Sequence, residues 1–581
     1  MKTLTLCRLL CRPVLAWLLP GLLLGSLLAR PATAQTPRWA WAQLLDAVPG
    51  SSHVKQMQSD AAGNVYVLGE YRNGIALGNR SLIGAGGVDV FVAKFSPTGQ
   101  CLWAMSGGGT NNDYAGHLAL DQLGNVYATA TILTDFTTAC GLLPNPAYPA
   151  QSTVLWKLTA NGNCVWTRLV AQPINITVTG SGDTDAVSLT TDSYNRPVVI
   201  VHSVNDVRIG TQDYSVQGTA SWITYWNSDG MVRWVKEFRQ SNNVGVYLAA
   251  GSTSTGTYIS GGGIDVQLGS IFLPGRGGFL ALIDTAGVWQ WAKAYNVHNT
   301  NNGQITQLSV KERKLVTSGF IGSTGSFSYE GQTILPSPPS ATGYNDGFVI
   351  GLTDSGAFSF AYRMPTSGSQ GRCIVTGQAL EPGGALYLTG YFNDTVELLP
   401  NQPRVSLGVQ DGFVVKLDSA GQPVWALTDG VPPPQFMAQT GIRPQGIAVA
   451  GPAGPVIGGI LADTVSLGSL PLVSIPRQTY DLFLAGIAQV MGTAEPLLVA
   501  GGPTLWPNPA GRKVQLAWPP QAAPTTVQVL DVLGRLVQTL HVAPQQARAE
   551  LTCAALPPGV YHVRLLAGTY RAATRLVVAT E

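Results

Sequence analysis

Paired-carboxylate hydrolysis needs two acids facing one cavity. The acids nearest the stretches that would line a cavity are Asp60, Asp121 and Asp192. Each also sits at a turn, as in Asp60-Ala61-Ala62-Gly63-Asn64 and Asp121-Gln122-Leu123-Gly124-Asn125. Asp at such a place ordinarily accepts hydrogen bonds from nearby amides. The stretches that would line a central cavity are 54–57, 118–120, 187–189, 246–248, 305–308, 374–376 and 447–449, and none contains a carboxylate. No catalytic residue is assigned.

Metal chemistry has no better footing. His53, His117, His202, His298, His541 and His562 are scattered, with no H-E-x-x-H pattern. Asp183-Thr184-Asp185 begins like a calcium loop, but the rest of that loop is missing. Gly107-Gly108-Gly109 and Gly261-Gly262-Gly263 open no helix and precede no Gly-Lys-Ser/Thr, so they are not phosphate loops. No metal and no cofactor is expected. A net charge of +2 gives no electrostatic case for nucleic acid.

The elements that would position any site are repeats. Asp89-Val90-Phe91-Val92-Ala93-Lys94-Phe95 leads through Gly99 to Cys101-Leu102-Trp103-Ala104. Its apolar strand returns at Val154, Trp222, Phe279, Phe348, Phe413 and Phe483, at intervals of 57 to 70 residues. The first six copies continue through a glycine turn to an aromatic: Trp103, Trp166, Trp234, Trp291, Phe360 and Trp425. A fixed place in every repeat marks these rings as packing between sheets rather than as a sugar platform. Two further strands precede each copy, as around Gly124-Asn125. Four short strands cannot bury both faces alone, whereas a ring of such units can. The seventh copy lacks its last strand. Arg38-Trp39-Ala40-Trp41-Ala42 matches the missing strand, so Trp39 and Trp41 are expected to close the ring.

The two ends read differently. Lys2, Arg8 and Arg12 precede the apolar run Val14 to Ala29, and Ala32-Thr33-Ala34 before Gln35 is a small-residue cleavage site. A cleaved signal of residues 1–34 is expected, with export through Sec and no membrane span once it is removed. The remaining cysteines, Cys101, Cys140, Cys164, Cys373 and Cys553, are odd in number and form no C-x-x-C. In an exported protein they could pair, but the expectation is buried cysteines in strands or turns. Beyond a small-residue linker at 492–503, residues 504–581 lose the long period and show short alternating strands such as Val514-Gln515-Leu516-Ala517-Trp518.

The repeats resemble SBBP-type bacterial β-propeller repeats, most closely in Asp411-Gly412-Phe413-Val414-Val415-Lys416-Leu417 and Gly421-Gln422-Pro423-Val424-Trp425-Ala426. The tail resembles a type A sorting domain of the Bacteroidota type IX secretion system. The matching residues are Pro507-Asn508-Pro509, then Asp531, Gly534 and Arg535, then Gly559 and Tyr561, and finally Arg575, where a lysine is usual. The resemblance implies recognition of this tail at the outer membrane, its removal, and surface attachment or release.

The expectation is an all-β chain. Residues 35–491 form a seven-bladed β-propeller closed by an N-terminal strand, and 504–581 a small β-sandwich. The function expected is a secreted or cell-surface, non-enzymatic binding or scaffold module for an extracellular glycan or protein. Insertions such as 142–151 and 335–344 would shape its binding face. The alternatives are a secreted polysaccharide hydrolase or lyase, and a structural surface-layer component.

Overall fold

The computed structural model describes residues 36–490 and 503–578, apart from short stretches of which 176–183, 239–248, 430–440 and 473–480 are the longest. The chain divides into one unit of Gln35–Met491 and a second that contains Gly492–Glu581.

The first unit is all β. Among its described residues seven antiparallel groups of four strands can be traced, joined by further pairings into sheets of eight, six, four, six and nine strands, with short strands inserted between the second and third strands of several groups. The first runs Ser52–Ser59, Val65–Leu77, Arg80–Phe95 and Cys101–Gly107. The seventh has three strands from one end of this unit, Gly441–Val449, Pro455–Ala462 and Asp481–Val490. Its fourth is Thr36–Val48 from the other end of the sequence, with Trp39 opposite Ile487 and Trp41 opposite Gly486. The innermost strands of the seven sheets pack in cyclic order, the last, Gly441–Val449, against the first, Ser52–Ser59.

Third strands such as Ser152–Leu158, Ala220–Trp226 and Asp411–Leu417 are buried at every position. They lie mid-sheet, where packing above and below selects β-branched and aromatic residues. Six of the third strands turn through Gly99, Gly162, Gly230, Gly287, Gly356 and Gly421, all at positive φ. The amide of each such glycine donates to the carbonyl three residues earlier. The preceding sheet's outer aromatic lies on that glycine. A Cβ on Gly162 would stand 2.7 Å from the Trp103 ring, and one on Gly230 3.1 Å from Trp166. Trp103 Nε1 donates to Ala160 O at 3.1 Å, and Trp166 Nε1 to Ser228 O at 3.2 Å. Trp41 treats the first sheet in the same way, with a Gly99 Cβ 2.7 Å away and its Nε1 donating to Pro97 O at 3.3 Å. Thr36–Val48 therefore occupies the place of an outer strand.

A second interlock was not legible in sequence. The long hairpin between the second and third strands of several sheets pairs with the preceding outer strand. Ala171–Pro173 pairs with Val207–Ile209, Tyr295–His298 with Ser326–Tyr329, and Asp46–Val48 with Gly74–Ala76.

One expectation about cysteines is corrected. Cys140 and Cys164 form a disulfide, with Cα atoms 5.4 Å apart. Cys140 lies in the second sheet's long connection, which folds back over its outer strand, so two residues 24 apart in sequence come within bonding reach. Cys101, Cys373 and Cys553 are free and buried.

In the second unit a three-stranded sheet (Thr504–Trp506, Lys513–Ala517, Arg548–Thr552) and a four-stranded sheet (Leu536–Val542, Thr525–Leu530, Gly559–Ala567, Tyr570–Val578) share one core. Val514, Leu516, Val527, Val529, Val563 and Leu565 supply its centre. The period-2 burial of Thr525–Leu530 is that of a strand with one dry face.

Candidate functional site

The seven inner strands enclose a cavity of about 1000 Å³. Asp60, Asp121 and Asp192 stand at its short-turn mouth. Asp60 Oδ1 accepts from Ala62 N and Asn64 N at 3.0 and 2.9 Å. Its Oδ2 lies 3.1 Å from Lys94 Nζ and accepts from Tyr66 OH at 3.2 Å. Burial would raise this carboxyl, yet the bonds from Asn64 and Lys94 hold it below the ordinary value. Asp121 accepts from Leu123 N and Asn125 N. Asp192 is tied to Tyr194 N, Arg196 and Tyr225 OH. The sixth sheet repeats the arrangement with Glu381, Tyr387 and Lys416. These acids hold turns, and their hydrogen-bonding capacity is committed.

Deeper in the cavity the inner strands share a device that sequence reasoning missed. Six of the seven carry a register shift against their neighbour: after Val54, Ala115, Ala186, Ile305, Val375 and Pro444. A bulge leaves a residue unpaired and re-aims its side chain. Here the re-aimed residues are Lys55, His117, Val187, Thr306, Thr376 and Gln445, and all line the cavity. Three reach the next inner strand. Thr306 Oγ1 donates to Val375 O at 3.2 Å, Thr376 Oγ1 to Pro444 O at 2.7 Å, and Gln445 Oε1 accepts from Val54 N at 3.1 Å. In the first sheet the neighbouring Gln56 makes this bridge, accepting from Leu118 N at 2.9 Å. Inner strands are sheet edges with unpaired backbone groups. Much of the polar lining therefore serves edge satisfaction.

Lys55 and His117 break that pattern. Among the described residues, neither the Lys55 ammonium nor the His117 ring is engaged in a hydrogen bond or ion pair. Burial, reinforced by Lys55 and opposed by Asp185, pushes His117 down to about 4, so it is neutral at pH 7. Among the described residues no group of three His, Cys, Asp or Glu could hold a metal. Of the motifs set aside above, Asp183 and residues 246–248 lie outside the described residues.

Among the described residues, the long second-to-third-strand connections lie at the rim opposite the short turns. It exposes apolar side chains, among them Ile83, Leu142, Phe272, Tyr344 and Val405. It also contains two buried acids. Asp89 accepts from Ala85 N at 2.9 Å and Asp113 from Gly109 N at 2.6 Å, but the Oδ1 of each has no partner among the described residues.

The sorting-motif residues are staples of the small sandwich. Asp531 accepts from Arg535 N at 2.9 Å and Arg535 Nε at 2.7 Å, closing the hairpin between them. Gly559 opens the strand in which Tyr561 lies, and Tyr561 OH donates to Pro557 O at 2.7 Å. Arg575 pairs opposite His562. Pro507, Asn508, Pro509 and Gly534 lie outside the described residues, as do Ala34, Gln35 and the rest of 1–34. Among the described residues no helix is long and apolar enough to cross a membrane.

Residues 504–579 match the family described as a secretion system C-terminal sorting domain. The sandwich is a secretion sorting tail. The chain is accordingly handled by the type IX secretion machinery and is secreted or placed at the cell surface. No curated protein matches the chain. Similar solved structures include a subtype N11 neuraminidase-like protein of A/flat-faced bat/Peru (H18N11). It is 8% identical, over 78% of this chain and 94% of that one, at a TM-score of 0.31. Another is the β-propeller domain of the Trilobed protease from Pyrococcus furiosus, 9% identical over 64% and 98%, at 0.26. A third is a glycoside hydrolase family 32 protein from Bifidobacterium adolescentis, 10% identical over 95% and 94%, at 0.23. At these TM-scores the likenesses assign no activity.

Proposed function

We propose that residues 35–491 are a seven-bladed β-propeller of SBBP type, closed by Thr36–Val48, that acts as a non-enzymatic binding module at the surface of a Bacteroidota cell. The contrast between the two rims carries the binding reading. On the short-turn rim, the acids, lysines and tryptophans are consumed by the repeat itself. Among the described residues the long connections emerge on the other rim, where they differ in length and expose Ile83, Phe272, Tyr344 and Val405. A surface that varies on a constant scaffold suits recognition. The closed ring is supported by the pairing of Thr36–Val48 with Asp481–Val490 and by Trp41 lying on Gly99. The hydrolase reading requires two uncommitted acids in one cavity, and the acids at the mouth are committed to turns.

A glycan array probed with the full chain tests this reading. Binding without turnover supports it. Release of shortened product in the same assay would replace it with the hydrolase or lyase.

A further inference from the structure

We infer that Lys55 and His117 form an anion subsite inside the central channel, which takes the carboxylate or sulfate of an acidic saccharide. The inference rests on the binding-module reading above and names a ligand class for it. Both side chains are placed by bulges at one level of adjacent inner strands, and bulges of this kind re-aim side chains. At the equivalent level, Thr306, Thr376 and Gln445 bridge to the next strand. Lys55 does not, because Gln56 and Gln58 already serve the backbone of Leu118 and Leu120. The first sheet thus bridges through neighbours of its bulged residue and leaves Lys55 itself lining the lumen, beside His117.

The charges around the pair define the ligand. Lys55 is within electrostatic reach of His53, Glu70 and His117, and His117 is within reach of Asp185. Glu70 spends an oxygen on Ala115 N at 2.9 Å, and Asp185 lies 3.6 Å from His202 Nδ1. Burial holds the Glu70 carboxyl above its ordinary value. One ammonium beside a neutral imidazole offers a charge-assisted donor and a second polar contact to a single anionic group. It is too little charge for a polyanion such as nucleic acid. Ser188, Thr190, Gln304 and Ser309 add hydroxyl and amide groups to a cavity large enough for a short oligosaccharide.

The test is calorimetric titration of the full chain with three probes: an oligogalacturonate, its methyl ester and inorganic sulfate. The acid form should bind about tenfold more tightly than the ester, the range of one charge-assisted hydrogen bond. A sulfated oligosaccharide in a fourth titration tells whether sulfate serves as well as carboxylate. Lys55→Gln should remove about tenfold of that affinity and Lys55→Arg should retain it. Lys55 is exposed, so the thermal midpoint of each variant should stay at the wild-type value. Equal binding by Lys55→Gln and wild type overturns the inference, as does equal binding of acid and ester. Binding of inorganic sulfate alone also overturns it, leaving a simple ion site. If Lys55→Gln keeps its glycan-array binding while Phe272→Ser loses it, the channel subsite falls and the rim reading stands.

Discussion

The two rims of the large unit are made by the same meanders, yet they use polar residues in opposite ways. On the short-turn rim an acid, a tyrosine, a lysine and a tryptophan form one block: Asp60, Tyr66, Lys94 and Trp103 in the first sheet. Lys94 sits 4.7 Å over the Tyr66 ring and 3.1 Å from Asp60, while Trp103 packs edge-on to Tyr66. Every charge has a partner, so the block is a fastener. On the long-connection rim, Asp89 and Asp113 are buried with an oxygen each unpaired among the described residues, and apolar side chains face water. Residues of catalytic type that recur at a repeat's period are fasteners here. The departures from the repeat are where function has room.

The largest effect should come from removing the strand that supplies the seventh sheet's missing edge. Deleting residues 36–45 should abolish cooperative unfolding or lower the urea midpoint severely, and Trp41→Ala alone should cost about 3 kcal/mol. An unchanged midpoint in the deletion would overturn the proposal that Thr36–Val48 closes a ring. Next is a pair of glycines, one per rim. Gly162→Ala places a Cβ 2.7 Å from the Trp103 ring at φ +83°, whereas Gly78→Ala, at φ +70°, meets nothing within 4 Å. The first should cost about 3 kcal/mol and the second about 1. Equal costs, read from urea unfolding, would show that the Trp–Gly contact does not fasten the rim.

A smaller effect separates two tryptophans. Trp166→Phe forfeits the bond to Ser228 O and should cost about 1 kcal/mol. Trp425 Nε1 is buried without a partner among the described residues. Trp425→Phe should therefore be close to neutral, and a loss matching that of Trp166→Phe would show that the Trp425 indole does have a hydrogen-bond partner.

The subtlest effect is a slope. Burial first, reinforced by Asp89 and opposed by the Gly109 amide, pushes Asp113 up to about 7. In the unfolded chain this carboxyl titrates near 4. Between about pH 4 and 7 the folded protein holds a proton that the unfolded chain has released, so stability falls as pH rises through that window. Asp113→Asn should flatten the fall in midpoint from pH 4 to 7. The same slope in the variant would mean that Asp113 is ionised throughout.

Much of the architecture was legible because a repeat writes its packing many times over. Seven apolar strands, six glycine turns and six aromatics define strand, turn and packing ring without any long-range information. The absence of the outer strand after Ile487 pointed to Trp39 and Trp41 for the same reason. In the tail, alternation in Val514–Trp518 and Val527–Leu530 marks one dry face, so a small sandwich could be read directly. The disulfide could not be read. Cys140 lies in a connection whose fold-back is set by pairing rather than by spacing.

The sequence by itself determined the repeat, its turns, the sandwich and the export tail, because each rests on contacts within a few residues or on a period. Tertiary structure alone decided the channel. A bulge is a mismatch between two strands and leaves no mark on either, so Lys55 and His117 read as ordinary strand residues until the sheets are set around one cavity. It also showed how far Asp60 and Asp192 are spent, since Lys94 and Tyr225 reach them from the third strands of their sheets.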